Sequence, residues 1–165
     1  MRYDENFEKL CEALEGPGAF LVVESQGRVN AMTIGWAQAG VIWGQPVMTV
    51  LVRPSRYTHR LLEKAKHFSV CVPRRGELKK ELAFCGSRSG RDHDKIRACG
   101  LKVAEGRDGV KYLEGCGLVY LCEVCGRTEL RDGAVAEPAL GRYYPDPADL
   151  HTLYFGRIIS AESSA

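Results

Sequence analysis

Apolar positions in this chain alternate between helical and extended spacing. Phe7, Leu10, Cys11 and Leu14 fall at i, i+3, i+4 and i+7, which predicts an opening helix with Asp4 as its cap. Gly16-Pro17-Gly18 stops it. AFLVVES at 19–25 reads as a strand and Gln26-Gly27-Arg28 as a turn. MTIGWAQAGVIW at 32–43 is β-like but rich in small residues. Gly35 and Gly40 within it suggest bulges, or a place where something approaches the backbone closely. VMTVLVR at 47–53 is a strand ending at Pro54, and a helix over about 56–66 puts Tyr57, Leu61, Leu62 and Ala65 on one side. HFSVCVP at 67–73 is the next strand, followed by two short helices near 77–85 and 92–99. GLVYLCEVCGRTEL at 117–130 is a long strand, and HTLYFGRIISAE at 151–162 the last one. Between them, 131–149 holds Pro138, Pro145 and Pro147, a loop with room for one helical turn.

Strands outnumber helices and do not follow a βαβ rhythm. The pattern predicts a mainly β fold, an antiparallel sheet or barrel with peripheral helices, and not a doubly wound parallel sheet. The length of 165 residues suits one domain over 1–165 with a real core. Lys plus Arg is 23 against 21 Asp plus Glu, a surplus too small to indicate a nucleic-acid or membrane partner. MRYDENFEKL has no apolar core of a leader peptide, and no apolar run approaches a membrane span, so the expected setting is the cytoplasm. Seven cysteines, an odd number, fit a compartment where thiols stay free.

Two turns carry candidate chemistry. RPSRYT places Arg53, Ser55, Arg56 and Thr58 where a strand ends and a helix begins. Guanidinium groups and hydroxyls beside free helix N–H groups can hold a phosphate; the plainer reading is a capped helix with solvated arginines. GSRSGRDHDK at 86–95 repeats the chemistry with Ser87, Ser89, Arg91 and Lys95 around Gly86 and Gly90, and Asp92 can cap the helix that follows. Two such turns in one small domain point to a dianion more than either does alone. Neither matches a P-loop, and no G-x-G-x-x-G follows a strand, which disfavours a nucleoside triphosphate or a Rossmann-bound dinucleotide.

NAMTIGW at 30–36 mixes Asn30, Thr33 and Gly35, which offer polar groups and open backbone, with apolar Met32, Ile34 and Trp36. A flat ring with a polar edge needs this mixture; a half-buried strand also produces it. NAMTIGW, RPSRYTH, FCGSRSGRDHDKI and HTLYFGRI, in this order and spacing, resemble the flavin reductase-like branch of the FMN-binding split-barrel proteins, to which flavoredoxin belongs. The resemblance runs from about residue 18 to residue 161. It implies a six-stranded split β-barrel of Greek-key character and a homodimer, with FMN at or near the subunit interface. It also implies that Met32, Thr33, Ile34, Gly35 and Trp36 line the isoalloxazine, with Asn30 beside them. Arg53, Ser55, Arg56 and Thr58 would hold the phosphate, and Ser87, Ser89, Gly90, Arg91 and Lys95 would complete that end. Cys85, directly before the glycine of the second turn, either approaches the cofactor or is a small buried apolar residue. His151 starts the last strand, where the family often places a histidine near the flavin or its reductant. It is the candidate catalytic residue, against the alternative of an ordinary strand-end histidine.

The implied activity is hydride transfer from NAD(P)H to bound flavin and onward to an acceptor. The alternative is an FMN-bearing electron carrier that never binds nicotinamide productively. A third reading starts from Cys122-Glu-Val-Cys125, followed by Gly126, which has the spacing of a zinc knuckle. No second C-x-x-C or His pair exists, and in a strand i and i+3 point to opposite faces, so no metal is expected. Cys11, Cys71, Cys99 and Cys116 read as core or half-buried, and His59 and His93 as surface positions.

Overall fold

The computed structural model describes residues 2–163. The first helix, α1 (Phe7–Glu15), begins later than its pattern predicts, and Asp4 does not cap it. The Asp4 carboxylate pairs with Arg2 instead, while its carbonyl accepts the Phe7 N–H. The stop at 16–18 is as read: the Gly16 and Gly18 N–H groups both donate to Ala13 O.

β1 (Ala19–Ser25) and β2 (Arg28–Ile34) form a hairpin, as do β3 (Ala37–Ile42) and β4 (Gln45–Val52). Both hairpins use two-residue turns, Gln26-Gly27 and Trp43-Gly44, with positive φ at both positions. That is the geometry whose twist matches the flanking strands, and it is why glycine holds the second place. Trp43, read from sequence as the end of a strand, is therefore a turn residue. It is held there by Phe155, 5.7 Å away ring to ring. The chain continues through α2 (Tyr57–Leu62), β5 (His67–Pro73), α3 (Lys79–Ser87) and α4 (Lys95–Ala98). A small hairpin of β6 (Val103–Glu105) and β7 (Lys111–Leu113) follows, which the sequence did not signal. Its strands are three residues each, too short for an alternation to register. Last come β8 (Cys116–Glu129), α5 (Ala139–Tyr143) and β9 (Thr152–Ser163). α5 supplies the helical turn foreseen within 131–149.

The main sheet has seven strands, not six, in the order β2-β1-β5-β8-β9-β4-β3, and every pairing is antiparallel. The seventh arises because the β-like stretch at 32–43 breaks at Gly35-Trp36 into separate strands. β4 and β5 lie on opposite sides of the β8–β9 pair, an order of Greek-key type and not a meander. The two edges of the sheet, β2 and β3, are consecutive in the chain and joined only by Gly35 and Trp36. Two linking residues span at most ~11 Å. The sheet must therefore curl until its edges meet at one end, giving a barrel split along one seam.

Inside lie Leu21, Val23, Met48, Val50, Phe68, Val70, Leu118 and Tyr120, with α2 adding Leu61 and Leu62. A second cluster on the opposite face gathers Phe20, Val22, Cys71, Leu82, Cys85 and Leu121, beside α3 and the β6–β7 hairpin. β1 and β5 are thus covered on both faces, which explains why AFLVV and FSVCV are continuously buried instead of alternating. Among the described residues no helix is long and apolar enough to cross a membrane.

Candidate functional site

The seam where β2 gives way to β3 opens into a cleft of about 190 Å³. Met32, Thr33, Ile34, Gly35 and Trp36 line it from the β2 side, and Leu51, Arg53, Arg56 and His151 from the other. Eight predicted residues are therefore brought together around one space; Leu51 was not foreseen. Gly35 leaves the wall open, since a Cβ there would have only Leu14 O near it, at 3.9 Å. The Thr33 hydroxyl donates to Leu82 O at 2.6 Å, and Gly86 sits against the Thr33 side chain, so α3 is docked directly behind the strand.

The two basic turns also meet, though not as one shared cradle. The Arg56 guanidinium donates to Gly86 O at 3.4 Å, a weak contact, and among the described residues its other side-chain nitrogens have no protein hydrogen bond. Arg91 donates to Ser55 O at 3.1 Å and lies over the Tyr57 ring, while Arg28 packs over the same ring and donates to Gly90 O. Asn30 is buried and donates to the Thr58 hydroxyl at 2.8 Å. Gly90 presses on this pair: a Cβ there would fall 2.2 Å from Asn30 Oδ1. Asn30, Thr58 and Gly90 thus bind β2, α2 and the second turn to one another; neither Asn30 nor Thr58 reaches the cleft.

Several phosphate roles change with this geometry. The Ser55 N–H and hydroxyl both donate to the Asp149 carboxylate, at 3.0 and 2.8 Å. Arg53 donates to Asp149 O and Tyr143 O, at 3.0 and 2.7 Å, and its guanidinium stands 3.8 Å from the same carboxylate. An internal carboxylate has taken the place at the first turn expected for a phosphate, and Ser55 has no donor left. α2 is also only six residues long, shorter than its pattern predicts, so its dipole adds little there. In the second turn the Ser87 hydroxyl donates back to Ala83 O, and the Ser89 hydroxyl accepts the Arg91 N–H. Lys95 is buried and donates to Cys85 O at 3.1 Å, and burial lowers its pKa. It lines a separate cavity of about 560 Å³ with Arg28, His93 and Arg97. Cys85 belongs to the second core cluster; burial pushes its thiol up to about 12, so it is an inert apolar residue. Arg56 remains as the cleft's open cation.

The loop left unassigned at 131–149 proves to be a wall of the site. The Tyr144 hydroxyl hydrogen-bonds His151 Nδ1 at 2.8 Å, and both residues are buried. Trp36 packs against Tyr143 at 5.0 Å and against His151 at 4.9 Å, ring to ring. Arg53 lies 4.9 Å from the Tyr144 ring. An aromatic pair in a Pro-rich loop, eight and seven residues before the candidate histidine, was the signal available in the sequence.

Burial, with Arg53 second, lowers the His151 pKa to about 4, so the ring is neutral near pH 7. The unfolded chain binds this proton near 6.5 and the folded chain does so only near 4. Stability is therefore lost as pH falls from 6.5 towards 4. Between pH 7 and 5 the loss is expected to be about 2 kcal/mol. Urea unfolding of wild type and His151→Gln at both pH values checks it, with the variant losing less.

Cys122 is fully buried and Cys125 is exposed, with its thiol donating to Phe155 O. The two face different surroundings and cannot close on one ion. Among the described residues no group of three or more His, Cys, Asp or Glu is placed to hold a metal.

Residues 14–165 match the family model described as the flavin reductase like domain. The chain belongs to this family. An FMN-binding protein from Thermus thermophilus is 29% identical, with a TM-score of 0.69 over 88% of this chain and 68% of that one. Flavoredoxin from Methanosarcina acetivorans is 26% identical, with a TM-score of 0.69 over 88% and 67%. The NADH:FAD oxidoreductase SgcE6 of Streptomyces globisporus, at 18% identity and a TM-score of 0.66 over 89% and 75%, shares the fold alone. The seven-stranded antiparallel sheet is thus the split barrel of the flavin reductase-like proteins.

Proposed function

We propose that the protein binds FMN in the cleft at the β2–β3 seam and acts as an NAD(P)H-dependent, flavin reductase-like oxidoreductase. One observation carries the reading: the cleft joins an apolar strand wall to one open guanidinium, Arg56, and a neutral His151. This donor set fits a flat ring with an anionic tail. The Thermus thermophilus relative adds support, since its structures hold 1-cyclohex-2-enone and p-hydroxybenzaldehyde, flat carbonyl compounds.

Bound FMN supplies the two-electron chemistry, so the chain needs no general base of its own. Met32, Ile34 and Leu51 exclude water from the ring's surroundings. Arg56 holds the phosphate. Arg91 acts through Ser55 and Tyr57 by keeping the second turn in place. Trp36 and Tyr143, both more than a third exposed, border the open side where a nicotinamide or another flat partner would enter.

The likeness to flavoredoxin favours a second reading, an FMN-bearing electron carrier. Anaerobic stopped flow on the FMN-loaded protein separates the two. Flavin bleaching within seconds of adding NADH or NADPH is expected, and no bleaching with either leaves the carrier. Failure to take up FMN at all ends both. The homodimer fits the edge strand β3 and the turn after it, where Val41 and Trp43 are each 65% exposed. A monomeric mass by light scattering removes that part.

A further inference from the structure

His151 has two ring nitrogens, and the structure accounts for only one. Nδ1 meets the Tyr144 hydroxyl at 2.8 Å, while Nε2 has no protein hydrogen bond among the described residues, and the ring lines the cleft. A neutral imidazole carries one N–H, so the Tyr144 contact decides where it sits. A phenol is a stronger acid than a neutral imidazole N–H. Burial raises the Tyr144 pKa, and the Arg53 guanidinium over its ring offsets part of that. The favoured arrangement is O–H donating to Nδ1, which leaves the proton on Nε2.

We propose that Tyr144 is a positioning residue that holds His151 in the Nε2–H tautomer, and that this N–H receives the carbonyl oxygen of a planar, conjugated carbonyl compound. The surroundings select such a ligand. The donor is neutral, and it stands among the rings of Trp36, Tyr143 and Tyr144. Arg53, the nearest cation, is already held by two carbonyls and Asp149 in the 131–149 loop. With Arg56 holding the FMN phosphate, a charged carboxylate entering here would find one neutral donor and no free cation beside it. A flat molecule with one uncharged acceptor finds its hydrogen bond and its stacking faces. Two sources share this chemistry: the carboxamide of a nicotinamide, and the carbonyl of an enone or aryl aldehyde acceptor.

The ligand part rests on the flavin reading; the tautomer part does not. Long-range 15N–1H NMR of the full chain without flavin reads the tautomer. Wild type is expected to show a bare Nδ1 and a protonated Nε2, and Tyr144→Phe a mixture. A protonated Nδ1 in wild type, or an unchanged pattern in the variant, overturns the proposal. FMN affinity, read by fluorescence quenching, should be the same in both proteins. In stopped flow, NADH or 2-cyclohexenone should then bind Tyr144→Phe about 10-fold more weakly. A loss with NADH names the carboxamide, and a loss with the enone names the acceptor. His151→Gln keeps an amide N–H that needs no tautomer, so adding Tyr144→Phe to it should change nothing further. Equal binding of both probes by FMN-loaded wild type and Tyr144→Phe overturns the ligand assignment. A wild type that takes up no FMN removes the flavin reading and leaves the NMR result standing.

Discussion

Arg56→Ala is expected to weaken FMN binding by about 30-fold or more, since removing a charged partner of a buried anion costs ~2–5 kcal/mol. Arg56 lines the cleft, and among the described residues its guanidinium makes only one hydrogen bond, a long one to Gly86 O. Most of its donors are therefore available to a phosphate. Arg53 differs, because its guanidinium is spent on Asp149 and Tyr143. Arg91 differs too: its contacts are Ser55 O and the Tyr57 ring, so Arg91→Ala should act through the position of the second turn and cost less than Arg56→Ala. Lys111→Ala is the control, because Lys111 pairs with Glu105 on the β6–β7 hairpin, away from the cleft. Fluorescence titration of FMN into the three variants measures the order. Equal affinities for Arg56→Ala and Lys111→Ala would remove Arg56 from the phosphate end.

Gly156→Ala is expected to destabilise the fold by about 3 kcal/mol, at the upper end of what overpacking a core usually costs. Gly156 lies in β9, opposite Met48 of β4 and Val124 of β8. A Cβ at this position would fall 2.4 Å from the Phe68 ring and 2.8 Å from Cys122 Cβ. Both neighbours are fully buried, so neither can swing into solvent. The Phe68 ring crosses the position that a side chain would occupy. Gly40→Ala, on an edge strand where a Cβ meets nothing within 4 Å, should change stability little. Thermal or urea unfolding of the pair checks the contrast; similar midpoints would show that Phe68 has room to move.

Much of this was legible along the chain because it depends on local pattern. The strands at 19–25 and 67–73 were read with their observed limits, since short runs rich in β-branched and aromatic residues bounded by turn residues read as strands. The residues at 32–36 were legible as a wall because a strand of small and apolar residues is visible without knowing what faces it. The phosphate end was harder. Arg53, Ser55 and Arg56 look alike in sequence, and their fates differ only because Asp149 returns from almost a hundred residues away to bind two of them. Tyr144 shows the same limit. Nothing local joins a tyrosine in a Pro-rich loop to a histidine seven residues on until the loop turns and buries both.

By itself, then, the sequence determined most of the secondary structure, the antiparallel class and most of the residues from which a flavin site could be drawn. These follow from periodicity, turn chemistry and residue type, all short-range properties. Only the tertiary structure decided which cation stays open, which donors an internal carboxylate consumes, and which ring nitrogen of His151 is taken by Tyr144. Each of those depends on a competition between partners distant in the chain, and a competition is settled only when the fold brings the competitors together.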